Sequence, residues 1–338
     1  MFEGKGLPEG AVRPIVYLSG FTSKLKGMPP EEEARQLIKR AKVKYRCYSH
    51  AFCCKEGAHY SKHIQLGLAE TVKCGVRIMM DSGAFSFHQM LRAIAKAGKK
   101  SLTQEEMKKL RERTIDSYVE FCKKGNKNWD FYINYDYRPH APTVYGVQKD
   151  LERRGLKPVP VFHGDDGLDW FKKYVDEGHK LICIGGAGYR TRRPGWDAQR
   201  RYFDIVFDQA EKYGVEIHGL AQTALSIMFC YPFASVDSAT WAIVGTYGCI
   251  LHVDRNSGKV GPLHVSTTKS NIPNSYDKMP KEIKKEIQNR VEAEGFDFQK
   301  VRTTAFERSI YNAKMFTTHI MELKKFMEKG KTRWESLA

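Results

Sequence analysis

The feature that most constrains this chain is the alternation of short apolar runs with stretches of helical spacing. Eight runs end in polar or glycine-rich residues: IVYLSG (15–20), YRCYSHAF (45–52), RIMMDSG (77–83), DFYINYD (130–136), VPVFHGD (159–165), LICIGGAG (181–188), EIHGLAQ (216–222) and ASVDSATW (234–241). Polar stretches with apolar residues at helical spacing lie between most of them, such as EEEARQLIKRA and AQRRYFDIVFDQAEKYG. Strands that alternate with helices in this way indicate βαβ units and a parallel sheet.

The number of these units predicts the architecture. Eight units point to an α/β fold of the (β/α)8 TIM-barrel type. An open doubly wound sheet is the competing architecture, and it calls for a phosphate-binding G-x-G-x-x-G after an early strand. The first strand is instead followed by GFTSKLKG. Because 338 residues suit one barrel-sized domain, we predict a single domain over residues 1–338.

Three segments fall outside the regular alternation. Residues 248–270 alternate in character around an Asn-Ser-Gly-Lys turn, which predicts a β-hairpin appended to the barrel. Residues 279–338 have helical spacing, and we expect them to pack on the barrel as C-terminal helices. We interpret the basic stretch 86–112 as a long link between a strand and a helix, and as an insertion that faces the substrate.

Charge and cysteine content narrow the class of partner and the compartment. The chain has 56 Lys and Arg against 39 Asp and Glu, a net charge of +17. This excess favours a polyanion, nucleic acid first, although basic residues also serve solubility alone. The chain has no apolar run of membrane-spanning length, its N-terminus lacks a secretion leader, and its eight cysteines have irregular spacing. We therefore expect a reduced cytoplasmic protein that contacts no membrane and needs no metal or other cofactor.

Two aspartates at the ends of predicted strands are candidates for chemistry. In this fold the active site lies at the C-terminal ends of the strands, and a carboxylate within an apolar run is costly to desolvate without a reason. Asp237 in SVDSATW is either a strand-end cap or ion-pair partner, or a nucleophile that attacks an anomeric carbon. Asp81 is either a helix N-cap or a general acid and base, and the small residues Ser82 and Gly83 leave space above it for a planar ligand.

Further strand ends offer groups that recognise a base. Asp136 either pairs with Arg138 or accepts the N1–H and N2–H of guanine, a bidentate match that adenine cannot offer. Gly185 and Gly186 are either turn residues or positions where backbone groups approach the edge of a base closely.

The run that follows the sixth strand is rich in arginine. It carries Arg190, Arg192, Arg193, Arg200 and Arg201, with Tyr189 and Trp196 between them. We interpret these arginines as phosphate-binding residues and the aromatic rings as stacking surfaces, with a solvated loop as the alternative.

A possible metal site lies earlier in the chain. His59 and His63 are spaced i, i+4 and follow Cys53 and Cys54. This spacing can place two ligands on one helix face, but no matching acidic or cysteine pattern accompanies it. Surface histidines are therefore the favoured interpretation.

The segments MMDSGAF, NYDYRP, VFHGD, CIGGAG, HGLAQ and SVDSATW, in this order, resemble the queuine/archaeosine tRNA-guanine transglycosylase superfamily over about residues 75–245. The closer likeness is to its DNA-acting branch, the phage and bacterial proteins that insert 7-deazaguanines into DNA. The resemblance implies a pentosyltransferase that exchanges a flipped-out guanine of DNA for a base such as preQ0, through a covalent aspartyl-glycosyl intermediate and without a cofactor.

The resemblance also implies roles for individual residues. Asp237 corresponds to the nucleophile, Asp81 to the general acid and base, and Asp136 to the residue that recognises the guanine edge. The remaining base-binding positions are Ser82, Gly83, His163 (where the tRNA enzymes have a glutamine), Gly185, Gly186 and Ala187.

One departure from the family favours DNA over tRNA as the substrate. The tRNA enzymes carry a zinc-binding C-x-C-x-x-C run after the nucleophile strand, whereas this chain has only Cys249 there. We therefore expect no zinc and favour DNA. The alternatives are a zinc-less tRNA-guanine transglycosylase and an inactive nucleic-acid-binding barrel; a metal-dependent barrel hydrolase would need an H-x-H cluster that the chain lacks.

Overall fold

The computed structural model describes residues 6–9, 14–21, 27–96, 103–125, 128–136, 140–163, 166–185, 196–222, 225–253, 260–268, 272 and 275–319.

Eight strands form one sheet in which every paired neighbour is parallel. They are β1 (Ile15–Leu18), β2 (Tyr45–Ser49), β3 (Arg77–Asp81), β4 (Trp129–Tyr132), β5 (Val161–His163), β6 (Leu181–Gly185), β7 (Glu216–Gly219) and β8 (Ser235–Ser238). Their order across the sheet is β4-β3-β2-β1-β8-β7-β6-β5. Each strand lies within one of the eight predicted runs or begins one residue before it, so the prediction of eight parallel strands is confirmed. The curled sheet is compatible with a (β/α)8 barrel.

The two outer strands of this sheet approach each other at one point. An isolated parallel bridge pairs Ile133, directly after β4, with Val159, shortly before β5. The N–H of Val159 donates to the carbonyl of Tyr132 (2.8 Å), and the N–H of Asn134 donates to the carbonyl of Val159 (2.9 Å). These backbone bonds link the ends of the strand order.

Helices occupy most of the connections between strands. They are α1 (Pro30–Ala41), α2 (His50–Cys53), α3 (Lys62–Lys73), α4 (Ala84–Lys96), α5 (Gln104–Lys124), α6 (Ala141–Arg153), α7 (Leu168–Asp176), α8 (Trp196–Tyr213), α9 (Leu225–Cys230), α10 (Thr240–Thr246), α11 (Lys281–Ala293), α12 (Phe298–Thr303) and α13 (Ala305–Lys314). A π-helical turn over Met315–His319 extends α13.

The interpretation of residues 86–112 as a long link was wrong. Most of this stretch belongs to α4 and α5, which begins at a capping box formed by Thr103 and Glu106. The physical reason is the spacing of apolar side chains, because Phe87 is buried and Met90 and Leu91, three and four residues later, pack against the same cluster.

Side chains along each strand point alternately to the two faces of the sheet, so the core has two sides. One cluster is formed by side chains from one face of the sheet, including Tyr17, Cys47, Met79, Val161 and Cys183. The two larger clusters combine the other face with the surrounding helices. Since successive strand residues point to opposite faces, the first cluster defines the inner face of the curled sheet.

The segments after the eighth strand build a separate layer. β9 (Cys249–Val253) and β10 (Val260–His264) pair antiparallel as a hairpin, whose turn lies outside the described residues. Helix α13 packs against α10 and α1, where Arg40 and Glu307 form an ion pair of 2.6 Å. Residues 320–338 of the predicted C-terminal helices also lie outside the described part of the chain.

Candidate active site

Strand register places four predicted site residues on the inner face. Asp81 lies two residues after Met79 and His163 two residues after Val161, and both of these earlier side chains belong to the inner cluster. By the same alternation Gly185 follows Cys183 on that face, and Asp237 pairs with the inner-facing Tyr17. All four residues stand in the last two positions of their strands, so they share the C-terminal end of the sheet interior.

The three predicted aspartates lie near enough to influence one another's charge. The pKa of Asp81 is raised to about 6, mainly by burial and also by the negative charges of Asp136 and Asp237, while the nearby Ser49 hydroxyl and the N–H of Gly83 oppose the shift. Burial likewise raises the pKa of the Cys183 thiol, with added contributions from the charges of all three carboxylates. The aspartates therefore converge above the inner cluster at one site.

Asp237 is largely buried beside a backbone N–H donor and a histidine ring. It is 9% exposed, and its Oδ1 accepts the N–H of Ala221 at 2.8 Å. The Nε2 of the fully buried His218 lies 3.6 Å from the same oxygen. Ala221 adopts a left-handed backbone conformation (φ 51°), which costs an alanine about 1 kcal/mol or more. The strained loop after β7 thus aims a backbone donor at the carboxylate.

Asp136 and His163 form a second pair at the site. The Nε2 of His163 lies 3.3 Å from Oδ2 of Asp136, and the backbone N–H of His163 donates to Asp166 (3.2 Å). A Cβ on Gly185 would stand 3.2 Å from the His163 ring, closer than most real contacts of this kind. Glycine at 185 therefore leaves room for the imidazole. Arg138, the alternative partner of Asp136, lies outside the described residues.

The turn after Asp81 is tightly built. Gly83 has φ +80°, and a Cβ there would stand 2.6 Å from the Cβ of Ala51, so only glycine fits. Ser82 is fully buried, and its hydroxyl accepts the N–H of Ala84 at the start of α4 (3.4 Å). Oδ2 of Asp81 accepts the N–H of Gly83 (3.0 Å). The turn therefore holds the Asp81 carboxylate through the N–H of Gly83 and leads through Ser82 into α4.

The remaining predicted site residues are only partly described. Gly186, Ala187, Arg190, Arg192 and Arg193 lie outside the described part of the chain. Arg200 and Arg201 belong to α8, where Arg201 is exposed, Arg200 is partly buried, and the Arg200 carbonyl accepts the hydroxyl of Tyr231 at 3.0 Å.

Two residues that contact Asp237, His218 and Ala221, were given no role by the sequence reasoning. Phe85, at the start of α4, leaves 52% of its surface exposed four residues beyond Asp81. An aromatic ring directly after DSGA was a usable signal for a stacking surface. The roles of His218 and Ala221 depend on register and backbone angle, which no short motif expresses.

Comparison with known proteins identifies no family for this chain. No family model, no curated protein and no solved structure matches it.

The candidate metal ligands near the second strand do not converge. His63 pairs with Glu33 (2.8 Å), the His59 ring stacks on Phe52, and Cys53 is buried. Across the described ranges, one group of three side chains has the spacing of metal ligands, Glu152, Glu177 and His179. Lys149 forms ion pairs with both of these glutamates, which supplies positive charge where a cation would bind.

In the residue ranges that the structure describes, no helix has the length and apolar character needed to cross a bilayer.

Proposed function

We propose that this chain exchanges guanine in DNA for a 7-deazaguanine base, with Asp237 as the nucleophile and Asp81 as the general acid and base. The observation that carries the proposal is that strand register places the half-buried Asp81 and the buried Asp237 at the C-terminal end of the same inner face, where the charges of Asp237 and Asp136 contribute to the raised pKa of Asp81. Retaining glycosyl transfer needs one carboxylate that attacks and a second carboxyl group that holds and returns a proton. The raised pKa of Asp81 suits the group that holds the proton, and Asp237, which accepts a hydrogen bond from the Ala221 N–H, suits the group that attacks.

The same proposal includes a closed (β/α)8 barrel. The strand order runs from β4 to β5, which are consecutive in the chain, and backbone hydrogen bonds join Val159, shortly before β5, to Tyr132 and Asn134 at the end of β4. A closed sheet gathers all strand ends around one opening, so that β3 and β8 can present Asp81 and Asp237 to the same ligand.

The first chemical step is the transfer of the deoxyribosyl group to the protein. A carboxylate oxygen of Asp237 forms a bond to C1′ as the bond from C1′ to N9 of guanine breaks. The electron pair of that bond moves to the guanine, which takes the proton of Asp81. A pKa of about 6 allows Asp81 to hold this proton in a useful fraction of molecules near neutral pH.

The second step reverses the first with a different base. Asp81, now ionised, takes the N9 proton of the incoming 7-deazaguanine, whose N9 attacks C1′ and releases Asp237 as a carboxylate. Two inversions restore the original configuration at C1′. One glycosidic bond replaces another and the proton returns to Asp81, so no external energy source is needed.

Base selection is assigned to Asp136 with His163. The carboxylate of Asp136 can accept the N1–H and N2–H of guanine, which are both donors, whereas adenine presents no such pair. His163 contacts this carboxylate at 3.3 Å and keeps it oriented. The exposed ring of Phe85 offers a face on which a planar base can stack.

The net charge of +17 supports a polyanionic substrate. A base within a duplex must leave the stack before Asp237 can reach C1′, at a cost of a few kcal/mol. Phosphate contacts from basic residues would offset that cost, and the exposed Arg201 on α8 is one described candidate.

The test is incorporation of labelled preQ0 into duplex DNA, single-stranded DNA and unmodified tRNA by the purified full chain. We expect incorporation into DNA by the wild type and none by Asp237→Asn. Asp169→Asn, which removes an exposed carboxylate on α7, serves as the control and should retain activity. Incorporation into tRNA alone would replace DNA by RNA in the proposal. Polymer binding without exchange in any substrate would leave a nucleic-acid-binding barrel and reject the enzyme.

A further inference from the structure

We infer that Oδ2 of Asp237 is the attacking atom, and that Ser235 and His218 are positioning residues that hold the other oxygen, Oδ1. This inference rests on the proposed function. Both described neighbours of the Asp237 carboxylate lie at Oδ1: the Ala221 N–H donates a hydrogen bond to it at 2.8 Å, and His218 Nε2 lies 3.6 Å from it, just beyond hydrogen-bond distance. No hydrogen bond to Oδ2 comes from the part of the chain that the structure describes. That oxygen keeps its lone pairs for a bond to carbon.

His218 is fixed from several sides. Its side chain is fully buried on the inner face, and strand register pairs it with Cys183 on β6 and Ser235 on β8. The imidazole makes edge contacts with the rings of Tyr17 and Phe131, at centroid distances of 6.3 and 5.3 Å. A ring held in this way has a single direction in which to present Nε2, which is toward Asp237.

Hydrogen bonding determines which ring nitrogen carries the proton. Nδ1 of His218 lies 2.7 Å from Oγ of Ser235, a group that can donate or accept. Nε2 faces a carboxylate oxygen, which only accepts, so a lone pair on Nε2 would be repelled. The proton therefore resides on Nε2, and the Ser235 hydroxyl donates to Nδ1. Ser235 thereby selects the tautomer that presents N–H to Asp237.

This arrangement assists both chemical steps. When Oδ2 bonds to C1′, Oδ1 becomes the carbonyl oxygen of the glycosyl ester and keeps the hydrogen bond from the Ala221 N–H, with Nε2 of His218 close by. When the incoming base displaces the ester, negative charge returns to the carboxylate, and the same donors stabilise it. His218 transfers no proton in either step, so its part is to orient the carboxylate plane and support its charge.

The first arm of the test does not depend on activity. Nitrogen NMR of the imidazole side chains reports the tautomer of His218, whose signals are assigned by their loss in His218→Gln. We expect the Nε2–H tautomer in the wild type and a mixture of tautomers in Ser235→Ala. A wild-type His218 protonated on Nδ1 alone would overturn the inference even if base exchange is observed.

The second arm measures base exchange at saturating and limiting DNA. We expect His218→Gln to lower kcat by roughly 10- to 100-fold, as loss of a group that orients a reacting residue does, with little change in KM. Ser235→Ala, which removes one hydroxyl, should lower kcat by a smaller factor. His140→Gln, at an exposed histidine before α6, is the matched control and should behave as wild type. A kcat within twofold of wild type in both His218→Gln and Ser235→Ala would contradict the inference. A wild type that exchanges no base would instead reject the proposed function, and the tautomer measurement would still decide the arrangement.

Discussion

The two ends of the sheet interior treat a buried carboxylate in opposite ways. At the N-terminal end, Asp130 is fully buried, accepts the hydroxyl of Tyr17 and forms an ion pair with Arg77. At the C-terminal end, Asp81 forms no ion pair with any described lysine or arginine and faces two further carboxylates, which help to raise its pKa. A carboxylate with a cationic partner stabilises the fold, whereas a carboxylate beside other carboxylates costs stability, and such costly groups cluster at functional sites. The difference supports the proposed site at the C-terminal end of the interior.

The largest change in stability is expected at the N-terminal end of the interior, where Asp130 has a cationic partner. Asp130→Ala deprives the Arg77 guanidinium, whose side chain is 29% exposed, of its carboxylate, and it leaves the buried Tyr17 hydroxyl without its acceptor. We expect a loss of about 2–4 kcal/mol in the free energy of unfolding. Urea denaturation measures this loss, with Tyr17→Phe as a milder variant that removes only the hydroxyl. A loss below about 1 kcal/mol would show that the contacts of Asp130 with Tyr17 and Arg77 do not stabilise the fold.

At the C-terminal end of the interior, removing a carboxylate is expected to raise the free energy of unfolding rather than lower it. Because the folded pKa of Asp81 is about 6, above its ordinary value, the folded state binds more protons than the unfolded state between about pH 4 and 6. Stability therefore falls as pH rises through this window, and the full cost is present at pH 7. Asp81→Asn should raise the free energy of unfolding at pH 7 by about 1–3 kcal/mol and change it little at pH 4. Destabilisation at pH 7 would contradict the comparison.

The same pKa predicts a pH dependence of the chemistry. Formation of the glycosyl-protein needs the protonated form of Asp81, so its rate under single-turnover conditions should fall about tenfold per pH unit above about pH 6. Rapid-quench measurement of adduct on the wild type checks this. A rate that rises from pH 6 to 8 would assign the proton to another group.

The smallest effect concerns the strained loop at the functional end. Ala221→Gly relieves the cost of the left-handed conformation and should stabilise the fold by up to about 1 kcal/mol. Freedom at this position loosens the N–H that Asp237 accepts, so base exchange should slow by a few-fold. Thermal unfolding and the preQ0 assay measure the two changes. An increase in both stability and activity would mean that the strain does not aim the donor.

Much of the fold was readable from the sequence, for definite reasons. The eight strands were recognisable because each is a short apolar run that ends in polar or glycine residues. Helix α4 was missed because the basic residues around 97–112 obscured the helical spacing of Phe87, Met90 and Leu91. The bridge between Ile133 and Val159 could not be read, because it depends on how the strands curl rather than on local pattern.

The sequence predicts the acidic residues of the candidate site but not the groups that contact them. The carboxylates Asp81, Asp136 and Asp237 follow from the rule that strand ends share one edge of the sheet. The pairing of His163 with Asp136 requires the ends of β4 and β5 to be neighbours in space. The contact of His218 with Asp237 requires the register of β7 with β8, and the donor from Ala221 requires a left-handed φ. These properties belong to three-dimensional geometry and leave no short motif.

The most direct test is to locate a covalent sugar on the protein. The full chain is mixed with guanine-containing duplex DNA without an incoming base, quenched in denaturant, digested and mapped by mass spectrometry. We predict a deoxyribosyl-DNA adduct on the peptide that contains Asp237, present in the wild type and absent in Asp237→Asn. Base exchange that proceeds with no adduct at Asp237, or with the adduct on another residue, would contradict the assignment of the two interior aspartates.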